Sequence, residues 1–150
     1  TLLERVADAY VPVADKQGVT LAVAPEVTST PVNVDVERIA QVLANLVTNA
    51  IRHTPAGGNI LLNATLINGT GQGGKVALTV QDSGEGIAPD VLPHIFDRFY
   101  RGDKARTQDG DESGLGLAIC KSIVAAHGGS ITAASTLGQG ATFTLTLPAA

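Results

Sequence analysis

The sequence holds a single cysteine, no tryptophan and few aromatic residues of any kind: Tyr10, Phe96, Phe99, Tyr100 and Phe143. With Cys120 alone no internal disulfide can form, which fits a reducing, cytosolic compartment. Cys120 stands among Leu117, Ile119 and Ile123, the surroundings of a buried structural thiol. Lysine and arginine form no run, and 10 basic against 14 acidic side chains leave a formal charge of −4. That balance argues against a nucleic-acid partner and against a polybasic membrane surface. No apolar stretch approaches the length of a membrane-spanning helix, and no secretory leader opens the chain. It starts on Thr1 and is expected to be cut from something longer.

What is present is the composition of a folded domain, 44% hydrophobic and 16% charged over 150 residues, enough to bury a sizeable core. No repeat or linker interrupts it, so residues 1–150 read as one domain. Leu2, Leu3, Val6, Ala9, Tyr10 and Val13 recur at helical spacing over 2–17. "VTLAV" (19–23) and "TPVNV" (30–34) are short strand candidates. A long helix follows from about Asp35, its N-cap, to about His53. "NILLNATLI" and "KVALTVQD" read as two strands joined by a glycine-rich hairpin loop. A short helix near 88–95, a polar stretch at 101–114, a helix from Gly114 to His127 and a closing strand pair, "GGSITAAST" and "ATFTLTLP", complete the chain. Strands and helices come in clusters and not in strict alternation. The fold class is therefore α+β, with a largely antiparallel sheet covered on one face.

The hairpin loop poses a question of its own, because Gly69 to Lys75 spells G-x-x-x-x-G-K, most of a phosphate-gripping P-loop. Two features argue against that reading. The next residue is Val76, where a hydroxyl should reach magnesium, and the glycines run into a strand instead of a helix N-terminus.

Four other stretches can carry chemistry. In the long helix, Ile39, Val42, Leu43, Leu46, Val47, Ala50 and Ile51 make an apolar stripe, while Asn45, Asn49 and Arg52 form a polar one. Asparagine is a poor helix former, so two aligned in mid-helix suggest work: a neutral oxygen ligand for Mg²⁺, with Arg52 neutralising phosphate charge, against a plain solvated face. In "VALTVQDSGEGI", period-two alternation turns Asp82 to the apolar side with Val76, Leu78 and Val80, where a carboxylate needs donors. A purine exocyclic amine would be one, and Gly84 and Gly86 let a flat ligand approach; a simple Asp-Ser-Gly turn is the plainer alternative. In "SGLGLAICKSIVAAHGG", Gly114 and Gly116 leave the first amides of a helix reachable by an anion, or merely form a mobile junction. Leu115, Ala118, Ile119 and Ile123 are its apolar face, and His127 before two glycines reads as a cation at a helix end. Finally, Phe96, Phe99 and Tyr100 precede the charged 101–114 stretch, as an apolar anchor precedes a lid, though such a run is also what a solvated loop looks like.

Taken in order, "NLVTNAIRHTP", "DSGEGI", "IFDRFYR" and "SGLGLAI" resemble the N, G1, F and G2 boxes of the ATP-binding catalytic domain of bacterial two-component sensor histidine kinases. That domain belongs to the group that includes DNA gyrase, MutL and the large heat-shock chaperones (the GHKL group, with the Bergerat fold). "GGSITAAST…GQGATFTLTLP" is similar to the family's last two strands, so the likeness covers about 35–148. It implies a two-layer sandwich, a mixed sheet under about three helices, with ATP held between the N-box helix and a lid at 101–113. By position, Asn49 would hold Mg²⁺ with Asn45 beside it, and Asp82 would accept from adenine, with Gly84, Gly86 and Ile87 shaping the base pocket. Gly114, Leu115, Gly116 and Leu117 would bind phosphate through their amides, and Arg101 would lie near the γ-phosphate, acting with Asn45 in catalysis. Three positions depart from the common pattern: Arg52 and His53 replace Lys and Tyr, and Ala141 stands where Ser or Thr is frequent.

None of His53, His94 and His127 lies in a phosphoacceptor motif. The resemblance therefore implies a nucleophilic histidine on a separate dimerisation and phosphoacceptor domain, with a response regulator downstream. It further implies a monomeric fragment of a homodimeric parent anchored in the inner membrane. An ATP hydrolase of the gyrase or MutL kind is a competing reading, although it needs a Glu where Asn45 stands. A module that binds ATP and transfers nothing, and a serine kinase acting on an anti-sigma partner, are others.

Overall fold

The computed structural model describes residues 2–24, 34–67, 74–97 and 116–148. They form helix α1 (Leu2–Gln17), strand β1 (Thr20–Val23), helix α2 (Val36–His53), strands β2 (Asn59–Ile67) and β3 (Lys75–Asp82), a 3-10 turn (Leu92–His94), helix α3 (Gly116–Ala126) and strands β4 (Ser130–Ser135) and β5 (Ala141–Pro148). The sheet order is β1-β2-β3-β5-β4. Only the β1–β2 pair is parallel; the pairs β2–β3, β3–β5 and β4–β5 are antiparallel. The expected α+β fold with a mixed, mostly antiparallel sheet is the one observed.

Alternation builds the core. Ile60, Leu62, Ala64, Val76, Leu78, Val80, Phe143, Leu145 and Leu147 point to the buried face, while their neighbours Leu61, Thr65, Thr142, Thr144 and Thr146 are half-buried or exposed on the other. Helix α2 lays its seven predicted apolar residues against that face, each nearly inaccessible to water. Full burial of each large side chain among them is worth about 1.5–3 kcal/mol, so α2 is the central beam of the helical layer. It starts where Asp35 Oδ1 accepts from the Glu37 and Arg38 amides, at 3.1 and 3.3 Å. It ends where the Thr54 hydroxyl donates back to the Ala50 carbonyl at 2.7 Å.

Several local expectations change. Helix α1 buries Leu3, Val6, Ala7 and Ala14, while Ala9 and Val13 face water, because its buried stripe is rotated from the spacing first drawn. The segment 88–95 is not an α-helix but a loop closing on the 3-10 turn, with Pro93 in its first turn. In α3 the buried residues are Ala118, Cys120, Ile123 and Val124, and Ile119 is exposed. His127 joins two helices at this end: its Nε2 accepts the Asp35 amide proton at 3.1 Å, and its Nδ1 lies 2.8 Å from the Ile123 carbonyl. Residues 30–33 of the second strand candidate and the hairpin loop at 68–73 lie outside the described residues. Gly74 leads directly into β3, so the G-x-x-x-x-G-K stretch enters a strand, as the sequence reading requires.

Candidate functional site

Strand β3 delivers Asp82 at its end on the buried face, 7% exposed. The carboxylate meets two backbone donors on one oxygen: Oδ1 accepts from the Gly84 amide at 2.9 Å and from the Ala141 amide at 3.2 Å. Among the described residues no buried side-chain nitrogen or oxygen lacks a partner, so Oδ2, which takes neither bond, reaches an accessible surface. The carboxylate is thus clamped at one oxygen and presents the other. Desolvation by burial pushes its pKa above the usual carboxylate range, and the two amides and His53 only partly offset this.

The loop after Asp82 is tied down on both sides. On one side the Glu85 amide donates to the His53 carbonyl at 3.4 Å, and a Cβ on Gly84 would fall onto that same carbonyl. His53 Nδ1 lies 3.2 Å from Glu85 Oε1. On the other side the Ile87 amide donates to Ser135 Oγ at 2.7 Å, and Ser135 Oγ donates to the Gly140 carbonyl at 2.8 Å. Gly86 has φ +76°, and its missing side chain makes room for Thr136 and Leu137. Gly140, at φ +88°, backs so closely on the Asp82 carbonyl that a Cβ there would collide with it.

The polar stripe of α2 ends beside this loop, because His53 stands one turn beyond Asn49 and touches Gly84. Asn45 and Asn49 are half-buried and Arg52 is exposed. Arg52 Nη2 donates to Asn49 Oδ1 at 3.4 Å, so the two groups assigned to ion and phosphate share one edge. Asn45 Nδ2 donates to Cys120 Sγ at 3.6 Å, across to α3. With His127, just past the end of α3, bonded to Asp35, that contact makes the two helices antiparallel. Helix α3 therefore begins beside the Asn45–Asn49 half of α2, with Gly116 its first described residue and Leu117 packed on the core. One edge of the molecule gathers three things: an accessible carboxylate oxygen, two side-chain amides with an arginine, and the N-terminus of a helix.

That edge can be compared with known proteins. Residues 34–150 match a family of ATPases by their sequence profile. The chain belongs to the histidine kinase-, DNA gyrase B- and HSP90-like ATPase family. Within it, the sensor protein SrrB of Staphylococcus aureus is 45% identical over 114 residues, which are 76% of this chain and 19% of that protein. A solved relative, full-length ShkA in complex with AMPPNP, superposes with a TM-score of 0.84 at 36% identity, covering 99% of this chain and 29% of that one. The catalytic domain of histidine kinase ThkA, in a nucleotide-free form, gives 0.80 at 28% identity, covering 99% and 92%. The chain thus matches a histidine kinase catalytic domain nearly end to end, and spans about a fifth of SrrB.

In this ATPase-family chain the structure brings Asn45, Asn49, Arg52, Asp82, Gly84, Gly86 and Ile87 to one edge, joined there by Gly116 and Leu117. Arg101, Gly114, Leu115 and the lid segment 101–113, with Phe99 and Tyr100, lie outside the described residues. Of the three aromatics before that segment, Phe96 is described and packs edge-on against Phe143, ring centres 6.1 Å apart. Sequence reasoning missed Ser135, Gly140 and the Ala141 amide. Ala141 drew notice for lacking a hydroxyl, yet it serves through its backbone, which any residue but proline supplies. The "GQG" turn was the available signal for Gly140.

Proposed function

We propose that this chain binds Mg·ATP at the edge between α2, α3 and the Asp82 loop and presents the γ-phosphate to a histidine on a separate dimerisation and phosphoacceptor domain. The observation that carries this reading is the asymmetric clamp on Asp82. An acceptor fixed by two amides, with one oxygen left toward solvent, suits the exocyclic amine of adenine. Gly84 and Gly86 keep the adjoining loop thin enough for a flat base, and the Ile87 side chain is half-buried beside it.

At the other end, Asn45 and Asn49 offer neutral carbonyl oxygens and no carboxylate. That donor set fits Mg²⁺, which keeps several waters and takes its remaining ligands from phosphate. Asn45 and Asn49 would hold the ion there, and what it would supply is neutralisation of phosphate charge. Asn49 Oδ1 already accepts from Arg52, so cation and guanidinium compete for one oxygen, and the Arg52 guanidinium would turn to phosphate when displaced from it. The first amides of α3 add dipole stabilisation at the same place, and Gly114, Leu115 and Arg101 would extend it. Phosphoryl transfer asks mainly for positioning and charge neutralisation, so a site without a nucleophile of its own is complete on this reading.

A hydrolase of the gyrase or MutL kind would need a general base one turn before Asn49. The group at that place is Asn45, with its amide nitrogen turned to Cys120, which cannot take a proton from water. In the parent protein the expected setting is a cytoplasmic domain of a homodimeric sensor that signals to a response regulator. No helix among the described residues is long and apolar enough to cross a membrane.

ATP titrated into the chain by calorimetry, with and without Mg²⁺, tests the site. Asp82→Asn replaces the outward acceptor by a donor and is expected to weaken binding about 10- to 100-fold, the worth of a charge-assisted hydrogen bond. Unchanged affinity would remove Asp82 from the site. Transfer of label from ATP to an added phosphoacceptor domain then separates a kinase from an ATP-sensing module.

A further inference from the structure

Cys120 is buried completely at the α2–α3 contact, and its sulfur touches two groups of α2. It accepts from Asn45 Nδ2 at 3.6 Å, and its S–H points to the Val42 carbonyl at 3.9 Å. The direction of this chain of weak bonds has a chemical consequence. A side-chain amide has a donor end and an acceptor end, and only the acceptor end can meet a cation. With the thiol proton turned to Val42, a sulfur lone pair faces Asn45 and accepts its NH₂ group. Asn45 Oδ1 is then turned away from α3. Among the described residues it accepts no bond and no buried polar side-chain atom lacks a partner, so it is accessible.

We propose that Cys120 is a positioning residue for the magnesium-phosphate end of the site, holding the Asn45 amide so that its oxygen and not its nitrogen faces the ligand. The inference rests on the nucleotide site proposed above and adds a residue to it that touches neither ion nor phosphate. It also makes the seating of α3 a determinant of cation binding. The sulfur sits one turn into that helix, and a shift of α3 would release the Asn45 nitrogen to rotate outward.

The test compares Cys120→Val, which keeps shape but can neither accept nor donate, with Cys120→Ser, whose hydroxyl can do both. Calorimetry reads two ratios on each: the gain in ATP affinity on adding Mg²⁺, and the affinity for adenosine, which reports the Asp82 end alone. Losing a group that orients a metal ligand costs on the order of tenfold in metal affinity. Cys120→Val is therefore expected to lose most of the Mg²⁺ gain with adenosine binding unchanged, and Cys120→Ser to keep it. A full Mg²⁺ gain in Cys120→Val overturns the proposal and leaves the ATP site standing. Parallel loss of both ratios also overturns it, by showing a general packing role. No Mg²⁺ gain in the unmodified chain would overturn this proposal together with the ion's place in the proposed function. A readout that needs no ligand is the Asn45 side-chain NH₂ signal by NMR, assigned by its loss in Asn45→Asp. Slow solvent exchange is expected in the unmodified chain, and free exchange would sink the proposal.

Discussion

Asp82 shows how one residue can be set against the stability of its own fold. Its carboxyl is held above the ordinary value of 3.8 by desolvation, so the folded chain binds that proton more tightly than the unfolded chain does. The sign of the pH effect follows. This group's contribution is fully present below the unfolded value and is lost as pH rises through the raised folded value, leaving a cost at neutral pH. Asp82→Asn carries no such charge. Thermal melts from pH 3 to 7 are expected to show the variant gaining on the unmodified chain as pH rises; parallel curves would refute this. Gly140 behind it makes the opposite kind of demand. At φ +88° and against the Asp82 carbonyl, Gly140→Ala is expected to cost about 1–3 kcal/mol in urea denaturation and to weaken ATP binding with it. The orientation of Asp82 was legible in the sequence because two-residue periodicity is local. The amide of Ala141 and the hydroxyl of Ser135 were not, since Ala141 is 59 positions from Asp82 and Ser135 is 48 from Ile87, distances at which no local pattern speaks.

Among the elements, long and strongly periodic ones were readable and capped ones most of all. Asp35 before "VERIAQVL" marked the start of α2, and β2 and β3 fall where alternation and flanking glycines set them. The 88–95 segment failed as a helix because two prolines, Pro89 and Pro93, limit it to a single tight turn. Ile119 was misplaced because α3 is apolar on most sides, so spacing alone could not say which face meets α2. The join between these two helices is best probed at His127, which accepts from the N-cap amide of α2 and bonds a carbonyl of α3. His127→Ala removes both bonds and is expected to cost about 0.5–1.5 kcal/mol, seen as a melting point lower by about 1–6 °C. Circular dichroism melts measure it, and an unchanged midpoint would mean water replaces the ring without penalty.

Across the whole molecule one core serves every element: α1 and α3 flank α2, and all three rest on a single sheet face. Leu43 sits at its centre with no accessible surface. Leu43→Ala is expected to cost about 2–5 kcal/mol, and urea unfolding should remain a single transition with the same denaturant slope. A second transition would divide the molecule where the fold shows no seam. The fold class was legible at this scale because clustering of strands and helices follows from chain order. The site was legible chiefly through the resemblance of its four motifs, while the groups that brace it emerge only when the chain closes on itself.

Among the described residues the sheet has helices on one side only, and that has a consequence for how such a sequence can change over time. Along β5 the residues alternate between Phe143, Leu145 and Leu147, locked in the core, and Thr142, Thr144 and Thr146 on the open side. None of those three threonines braces the Asp82 loop or touches the polar stripe of α2 among the bonds described. Inheritance of the chain is therefore constrained in a comb, tooth and gap alternating residue by residue. The gaps offer a surface on which descendants can vary, and acquire new neighbours, without disturbing the nucleotide edge.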